Sequence, residues 1–312
     1  MTDFDPTYGY TLEKLLHIVP PPQPEGFAAF WQARYVRAMK LDPCQRLNHC
    51  GRFHPDYECY DFSYRSTDDF EIGGWALIPK HMPVTRGVVV GHGYGGREGP
   101  DFDIPIQGAV FLFPCFRGLS RSRCSPISDN PSYHVLHDID KRDHYILGGC
   151  VEDLWLAVSS LLKLFPAAAG HLAYLGSSFG GGIGALALPW DTRIQRAHFN
   201  VPSFGNHPLR LQLPTWGSAA AMQKYQREHG NILATLNYYD AAIAAQSIQV
   251  PVHIAVALAD PVVAPPGQFS IYNALRGKKK LFVLDMGHSD YLRKVAQEIA
   301  LLSELQEFFS KL

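Results

Sequence analysis

The chain has 312 residues, enough for one large domain or two small ones with a substantial core. Of these, 46% are hydrophobic and 18% charged, and the formal net charge of −1 gives no electrostatic basis for nucleic acid or an anionic membrane as partner. The N-terminal MTDFDPTYGY carries two acids where a leader peptide is basic, and no apolar run approaches the about 18 residues of a membrane span, so neither a signal peptide nor a membrane segment is expected.

In chain order, a proline-rich opening (Pro20, Pro21, Pro22, Pro24) leads into a helix through Phe27, Phe30, Trp31 and Tyr35, whose spacing gives it one packing face. Residues 57–64 and 70–79 alternate like strands and are joined by Ser66-Thr67-Asp68-Asp69, which predicts an antiparallel hairpin. Short unbroken apolar runs then recur at 87–90, 108–113, 171–176, 252–258 and 281–285. Runs of that kind suit strands buried on both faces of a parallel sheet. Helical stretches lie at 148–165, 181–188, 267–275 and 290–310, and the alternation predicts an α/β sheet with the hairpin at its start. Residues 203–247 exceed what a crossover needs and hold helical patches at 217–228 and 231–246, which reads as an inserted lid. The chain is therefore expected to be one domain over 1–312, with a helical extension over 1–50. Six cysteines (Cys44, Cys50, Cys59, Cys115, Cys124, Cys150) form no C-x-x-C; reduced, buried thiols and a cytoplasmic location are expected. The 14 histidines make the charge state sensitive below about pH 6.5.

Gly176-Ser177-Ser178-Phe179-Gly180 is a G-x-S-x-G match between a strand-like LAYLG and a glycine-started helix. Small neighbours are required because a serine at that position sits on a tight strand-to-helix turn with its hydroxyl exposed. A serine needs a base to become a nucleophile, and that base needs an orienting acid. Asp260 follows the run HIAVAL, and His288 follows LFVLDM, so both fall at the carboxyl ends of expected strands, where α/β sheets hold their sites. Asp285 and Asp290 are the competing acids. Two backbone N–H groups must also face the developing oxyanion; those of Phe179 and of Tyr94, in the loop Gly91-His92-Gly93-Tyr94-Gly95-Gly96, are the candidates. A tyrosine over the acyl pocket would favour a short acyl group, and His92 is expected to hold the loop rather than to act as a base.

The same loop matches G-x-G-x-x-G, but Arg97-Glu98-Gly99-Pro100 obstructs the helix that a dinucleotide site needs, and no acid ends the next strand. The stretch from His134 and His137 to Asp138, Asp140, Asp143 and His144 lacks a zinc pattern and reads as a solvated loop. Neither a cofactor nor a metal is expected.

With these residues in hand, the chain resembles carbohydrate esterase family 7, the acetyl xylan esterases and cephalosporin C deacetylases of the α/β-hydrolase superfamily. The resemblance runs from about Pro24 to His288. It is sharpest at Leu236-Asn237-Tyr238-Tyr239-Asp240, Val250-Pro251-Val252, Asp260, Pro265-Pro266 and Tyr272-Asn273. Phe30-Trp31, Gly74-Trp75, His92-Gly93-Tyr94, Arg117-Gly118 and the stretch Asp140-Lys141 to Tyr145 also match. The resemblance implies an α/β-hydrolase fold, metal-free deacetylation of small acetylated sugars and similar esters, and a ring-like hexamer. It also implies a triad of Ser178, Asp260 and His288 with Tyr94 and Phe179 as oxyanion donors. The chain departs from the family at Phe179, where glutamine is usual, at Ser289, where glutamate is usual, and at Asp260-Pro261, which replaces Asp-Glu; the first departure is expected to change the pocket lining. The alternatives are the same fold acting on a different ester, lactone or amide, or a non-catalytic binding protein.

Overall fold

A computed structural model describes residues 3–312. A short helix α1 (Leu12–Leu15) and α2 (Phe27–Met39) precede strand β1 (Arg46–His49). Then come β2 (Tyr57–Arg65), β3 (Glu71–Pro79), β4 (Arg86–Gly91), β5 (Ala109–Pro114), α3 (Pro131–His134), α4 (Ile146–Leu164), β6 (Leu172–Ser177), α5 (Phe179–Ala187) and β7 (Arg196–Asn200). The segment that follows holds α6 (His207–Arg210), α7 (Ser218–His229), α8 (Leu233–Leu236) and α9 (Ala241–Ala245). The chain closes with β8 (Val252–Ala259), α10 (Pro265–Ala274), β9 (Lys279–Met286) and α11 (Lys294–Phe309).

The strands form one sheet in the order β1-β2-β3-β5-β4-β6-β7-β8-β9. β1, β2 and β3 pair antiparallel, as do β3 and β5, and the six strands from β5 to β9 run parallel. The parallel strands are the apolar runs of the sequence, and β4, β5, β6 and β8 are almost wholly buried, because helices cover both faces. On one face α2 packs Trp31 edge-on against Trp155 of α4, and both indole N–H groups are satisfied by carbonyls, Trp31 by Tyr238 and Trp155 by Ala187. On the other face α11 buries Leu301, Leu305 and Phe309.

Five sequence expectations are corrected. β7 is a strand although RAHFN is not a continuous apolar run; His198 and Asn200 interrupt it, yet Ala197, His198 and Phe199 are buried. The 1–50 extension is not all helical, since Arg46–His49 adds an edge strand to the hairpin. The patch 231–246 breaks at Asp240, which is extended and caps α9 through the amides of Ala242 and Ile243, leaving α8 and α9 as separate pieces. His134 does not lie in a solvated loop: it is fully buried, although Asp140, Lys141, Arg142, Asp143 and His144 are exposed. Of the six free thiols, Cys59, Cys115 and Cys150 are buried, but Cys44 and Cys124 are exposed.

One buried ion pair ties the layers together. Arg117, just after β5, donates from Nε and Nη2 to Asp153 of α4 at 2.7–3.1 Å, and from Nη2 to Ser66 and Thr67 beyond β2. Asp153 also accepts the Arg117 N–H and the Ser66 hydroxyl. Removing the acid leaves the buried guanidinium with only the longer contact to the more exposed Asp68 at 3.7 Å. Asp153→Ala is expected to lower the unfolding free energy by about 3–5 kcal/mol, read from urea unfolding; a loss below about 1 kcal/mol would contradict this role for the pair.

Candidate active site

Ser178 sits between the last residue of β6 and the first of α5 with φ 50° and ψ −108°. A side chain rarely adopts this region, so the turn must be held by its surroundings. The Ser178 N–H donates to Asn200 O at 2.8 Å, and Ser178 O accepts from Gly182 N and Ser203 N at 3.0 and 2.9 Å. From the other side the Gly180 N–H donates to His92 O at 2.9 Å. The glycines of the motif have a steric cause: a Cβ on Gly176 would lie 2.5 Å from Gly180 O, and one on Gly180 would lie 2.7 Å from the Gly91 carbonyl carbon.

His288 reaches the serine from the loop after β9. Its Nε2 is 2.9 Å from Ser178 Oγ, and its Nδ1 is 2.7 Å from Asp260 Oδ2. A carboxylate can only accept, so Nδ1 carries the proton and Nε2 is free to take one from the serine. Asp260 is fully buried, yet each of its oxygens is satisfied. Oδ1 accepts from the amides of Val262 and Val263, and Oδ2 also accepts from Gln268 Nε2 at 3.0 Å. His288 itself has φ 52°, and a Cβ on the preceding Gly287 would collide with Asp260 Oδ2. The competing acids are engaged elsewhere, Asp285 with Arg293 and Asp290 with Lys294.

Two supports of the acid were not read from the sequence. The Asp260 N–H donates to Pro6 O at 2.9 Å, and the Tyr8 hydroxyl donates to Asp260 O at 3.2 Å and Pro214 O at 2.9 Å. Gln268 of α10 donates to Val263 O as well and accepts the Ala257 N–H. Nothing in a lone tyrosine near the N-terminus, or a glutamine inside a helix, marks such a role without coordinates.

The glycine loop after β4 is locked by imidazoles. His92 Nε2 accepts the Phe116 N–H at 3.0 Å, so Nδ1 bears the proton and donates to Gly93 O at 2.7 Å. This is the holding role expected for His92. His134 Nε2 donates to Arg117 O, which leaves Nδ1 to accept from the Tyr94 hydroxyl at 3.0 Å. The Tyr94 ring lies tilted on Phe179 with ring centroids 4.2 Å apart, and Phe179 also packs against Phe116 and Phe204. Phe179 is fully buried, so its side chain underlies the tyrosine and does not line the pocket as the sequence comparison suggested. Among the described residues, neither the Tyr94 nor the Phe179 N–H donates to another protein group. Pro261 is buried, with its carbonyl taken by the Trp216 N–H, and Ser289 lines a neighbouring cavity beside His288.

Ser178 and His288 open onto a cavity of about 360 Å³ that is also lined by Tyr94, Ser203, Arg210, Val262 and Val263. It can admit a small ester with one reacting carbonyl. The elements are those of acyl transfer: a hydroxyl, an oriented imidazole, a buried carboxylate and two free amides.

Burial pushes His92 and His134 down to about 4, and burial beside His253 pushes His198 down to about 3. Their folded values lie below the unfolded value of about 6.5, so the unfolded chain binds more protons as pH drops. Their contribution to stability is intact above about pH 6.5 and is lost as pH falls toward about 4, with about 2 kcal/mol per imidazole gone by pH 5. The Tm measured by circular dichroism is expected to be clearly lower at pH 5 than at pH 7; equal values would contradict neutral burial of these rings.

Residues 10–305 match the model of the family described as acetyl xylan esterase (AXE1). The structure is similar to acetyl xylan esterase 1 from Thermoanaerobacterium sp. JW/SL YS485, with a TM-score of 0.81 and 20% identity over 97% of this chain and 99% of that one. It is likewise similar to the acetyl xylan esterase from Paenibacillus sp. R4, with a TM-score of 0.83 and 22% identity over 95% and 99% of the two chains. The acylaminoacyl peptidase of Pyrococcus horikoshii shares the fold at a TM-score of 0.64 and 16% identity, over 82% of this chain and 42% of that one. With the family match spanning Ser178, Asp260 and His288, the chain belongs to the acetyl xylan esterase family and is a carboxylic ester hydrolase that removes acetyl groups from carbohydrates.

Proposed function

We propose that Ser178, His288 and Asp260 form the catalytic triad of this esterase, with the amides of Tyr94 and Phe179 as its oxyanion donors. The observation that carries the reading is the single imidazole bridging the serine hydroxyl at 2.9 Å and the buried carboxylate at 2.7 Å. Ser178 Oγ attacks the acetyl carbonyl as His288 Nε2 takes its proton, and the two amides receive the negative oxygen. Collapse of the tetrahedral intermediate expels the sugar oxygen, which His288 protonates, leaving acetyl-Ser178. Water then attacks the acyl group with His288 again as base, and acetate departs. Asp260 keeps the imidazole in the useful tautomer and favours its cation.

Part of the segment 203–247 acts as a lid in this reading. Arg210, Gly217 and Ser218 at the α6 and α7 end line the cavity, whereas α9 is wholly buried and belongs to the core. A homo-oligomer, a hexamer by the family likeness, and a cytoplasmic location with thiols kept reduced complete the proposal. A non-catalytic role is disfavoured because no catalytic group is lacking.

Ser178→Ala is expected to reduce kcat on p-nitrophenyl acetate by about 10⁴-fold or more while the circular dichroism spectrum is unchanged. Retained turnover in that folded variant would remove Ser178 as nucleophile. Because Tyr94 is pinned between His134 and Phe179, the acyl side of the cavity is stiff and activity should fall sharply beyond propionyl across a p-nitrophenyl ester series. Equal turnover of octanoyl and acetyl esters would refute the short-acyl preference.

A further inference from the structure

Arg210 ends α6 and lines the cavity that also holds Ser178 and His288. The residue is only 6% exposed, and burial lowers its pKa. The other enclosed arginines have carboxylate partners: Arg117 has Asp153, Arg34 has Glu152 and Arg193 has Asp191. Among the described residues Arg210 has none within salt-bridge distance. Its side chain makes one long hydrogen bond, from Nη1 to His207 Nδ1 at 3.5 Å, and Nε and Nη2 have no protein acceptor.

The groups around it are committed elsewhere. Asp240, the carboxylate that most stabilises its charge, is spent on the amides of Asn206, His207, Ala242 and Ile243. The hydroxyls of Tyr94, Tyr145 and Tyr8 donate to His134, Val135 and the carbonyls of Pro214 and Asp260. The Phe204 ring lies 5.6 Å below Cζ and orients the guanidinium plane, while Gly267 leaves room for the stem. A buried arginine beside a substrate cavity and without a carboxylate partner is costly unless the substrate supplies an anion. Its planar fork suits a carboxylate, and its single charge suits a monoanion better than a dianion.

We propose that Arg210 binds a carboxylate on the alcohol portion of the ester, so that the preferred substrates are acetylated sugar acids. This rests on the assignment of Ser178 as nucleophile. The chemistry of acetyl transfer is unchanged; the carboxylate anchors the leaving sugar and sets which ester is presented to the serine.

The test compares acetate release from O-acetylated glucuronic acid, its methyl ester and O-acetylated glucose by the wild-type protein. The acid is expected to have a kcat/KM about 10- to 100-fold above both neutral esters, the range of a charge-assisted hydrogen bond. Arg210→Met should bring that ratio close to one, and Arg210→Lys, which keeps charge but not the fork, should leave an intermediate ratio. Free glucuronate should inhibit wild-type hydrolysis of p-nitrophenyl acetate competitively and glucuronamide should not, which tests the site even if a variant fails to fold. Hydrolysis of p-nitrophenyl acetate with no preference for the acid and no inhibition by glucuronate overturns the Arg210 inference alone. Absence of p-nitrophenyl acetate hydrolysis by the wild type overturns the nucleophile assignment and this inference with it.

Discussion

Everything at the site depends on forcing Ser178 into a backbone conformation that it would not adopt alone. The turn is clamped on three sides: β7 accepts its N–H through Asn200, α5 and Ser203 hold its carbonyl, and the loop after β4 accepts the Gly180 N–H through His92. Strain of this kind persists only where the surroundings over-determine it. Here the surrounding frame is three adjacent parallel strands, β4, β6 and β7, whose register brings Gly91 beside Gly176 and Ser177 beside Asn200. The strain continues along the next segment, where Val201, Phe204 and Asn206 all have positive φ. The backbone that restrains Ser178 therefore also aims the chain leading to Arg210.

Asp260 and His288 are held by a different logic. Asp260 is buried as a carboxylate because its two oxygens accept four hydrogen bonds, two of them from backbone amides at the entry to α10. An unpaired buried charge would cost far more than the fold can supply. The chain's N-terminal segment closes this arrangement from outside through Pro6 and Tyr8. A stretch that a sequence reading treats as an extension thus helps to hold the backbone of Asp260.

The loop that carries Tyr94 is supported through a longer path. Tyr94 leans on Phe179 and hydrogen-bonds His134; His134 holds the carbonyl of Arg117; and Arg117 is paired with Asp153 on α4. Both imidazoles of this region are neutral, kept so by burial, and each has a tautomer dictated by its partners. The loop amides are thereby pre-arranged, which is what an oxyanion site requires. Arg210 differs from Arg117, Arg34 and Arg193 in having no carboxylate within salt-bridge distance among the described residues, and that contrast is what the proposed substrate contact rests on.

The sequence by itself determined the alternation of buried strands and helices, the antiparallel start, and the order of serine, acid and histidine. These depend on local apolar runs, on glycine at a tight turn, and on chain order, all of which are written along the polymer. It reached Phe179 only as an amide, because the direction of a side chain is decided by what surrounds it. Tertiary structure alone decided that β7 is a strand despite His198 and Asn200, since neighbours on both sides complete its ladder. It alone decided that His134 is buried under Tyr94, that Gln268 and Tyr8 support Asp260, and that Arg210 lacks a counter-ion. Each of those facts concerns groups far apart in the chain, and only packing fixes whether such groups meet.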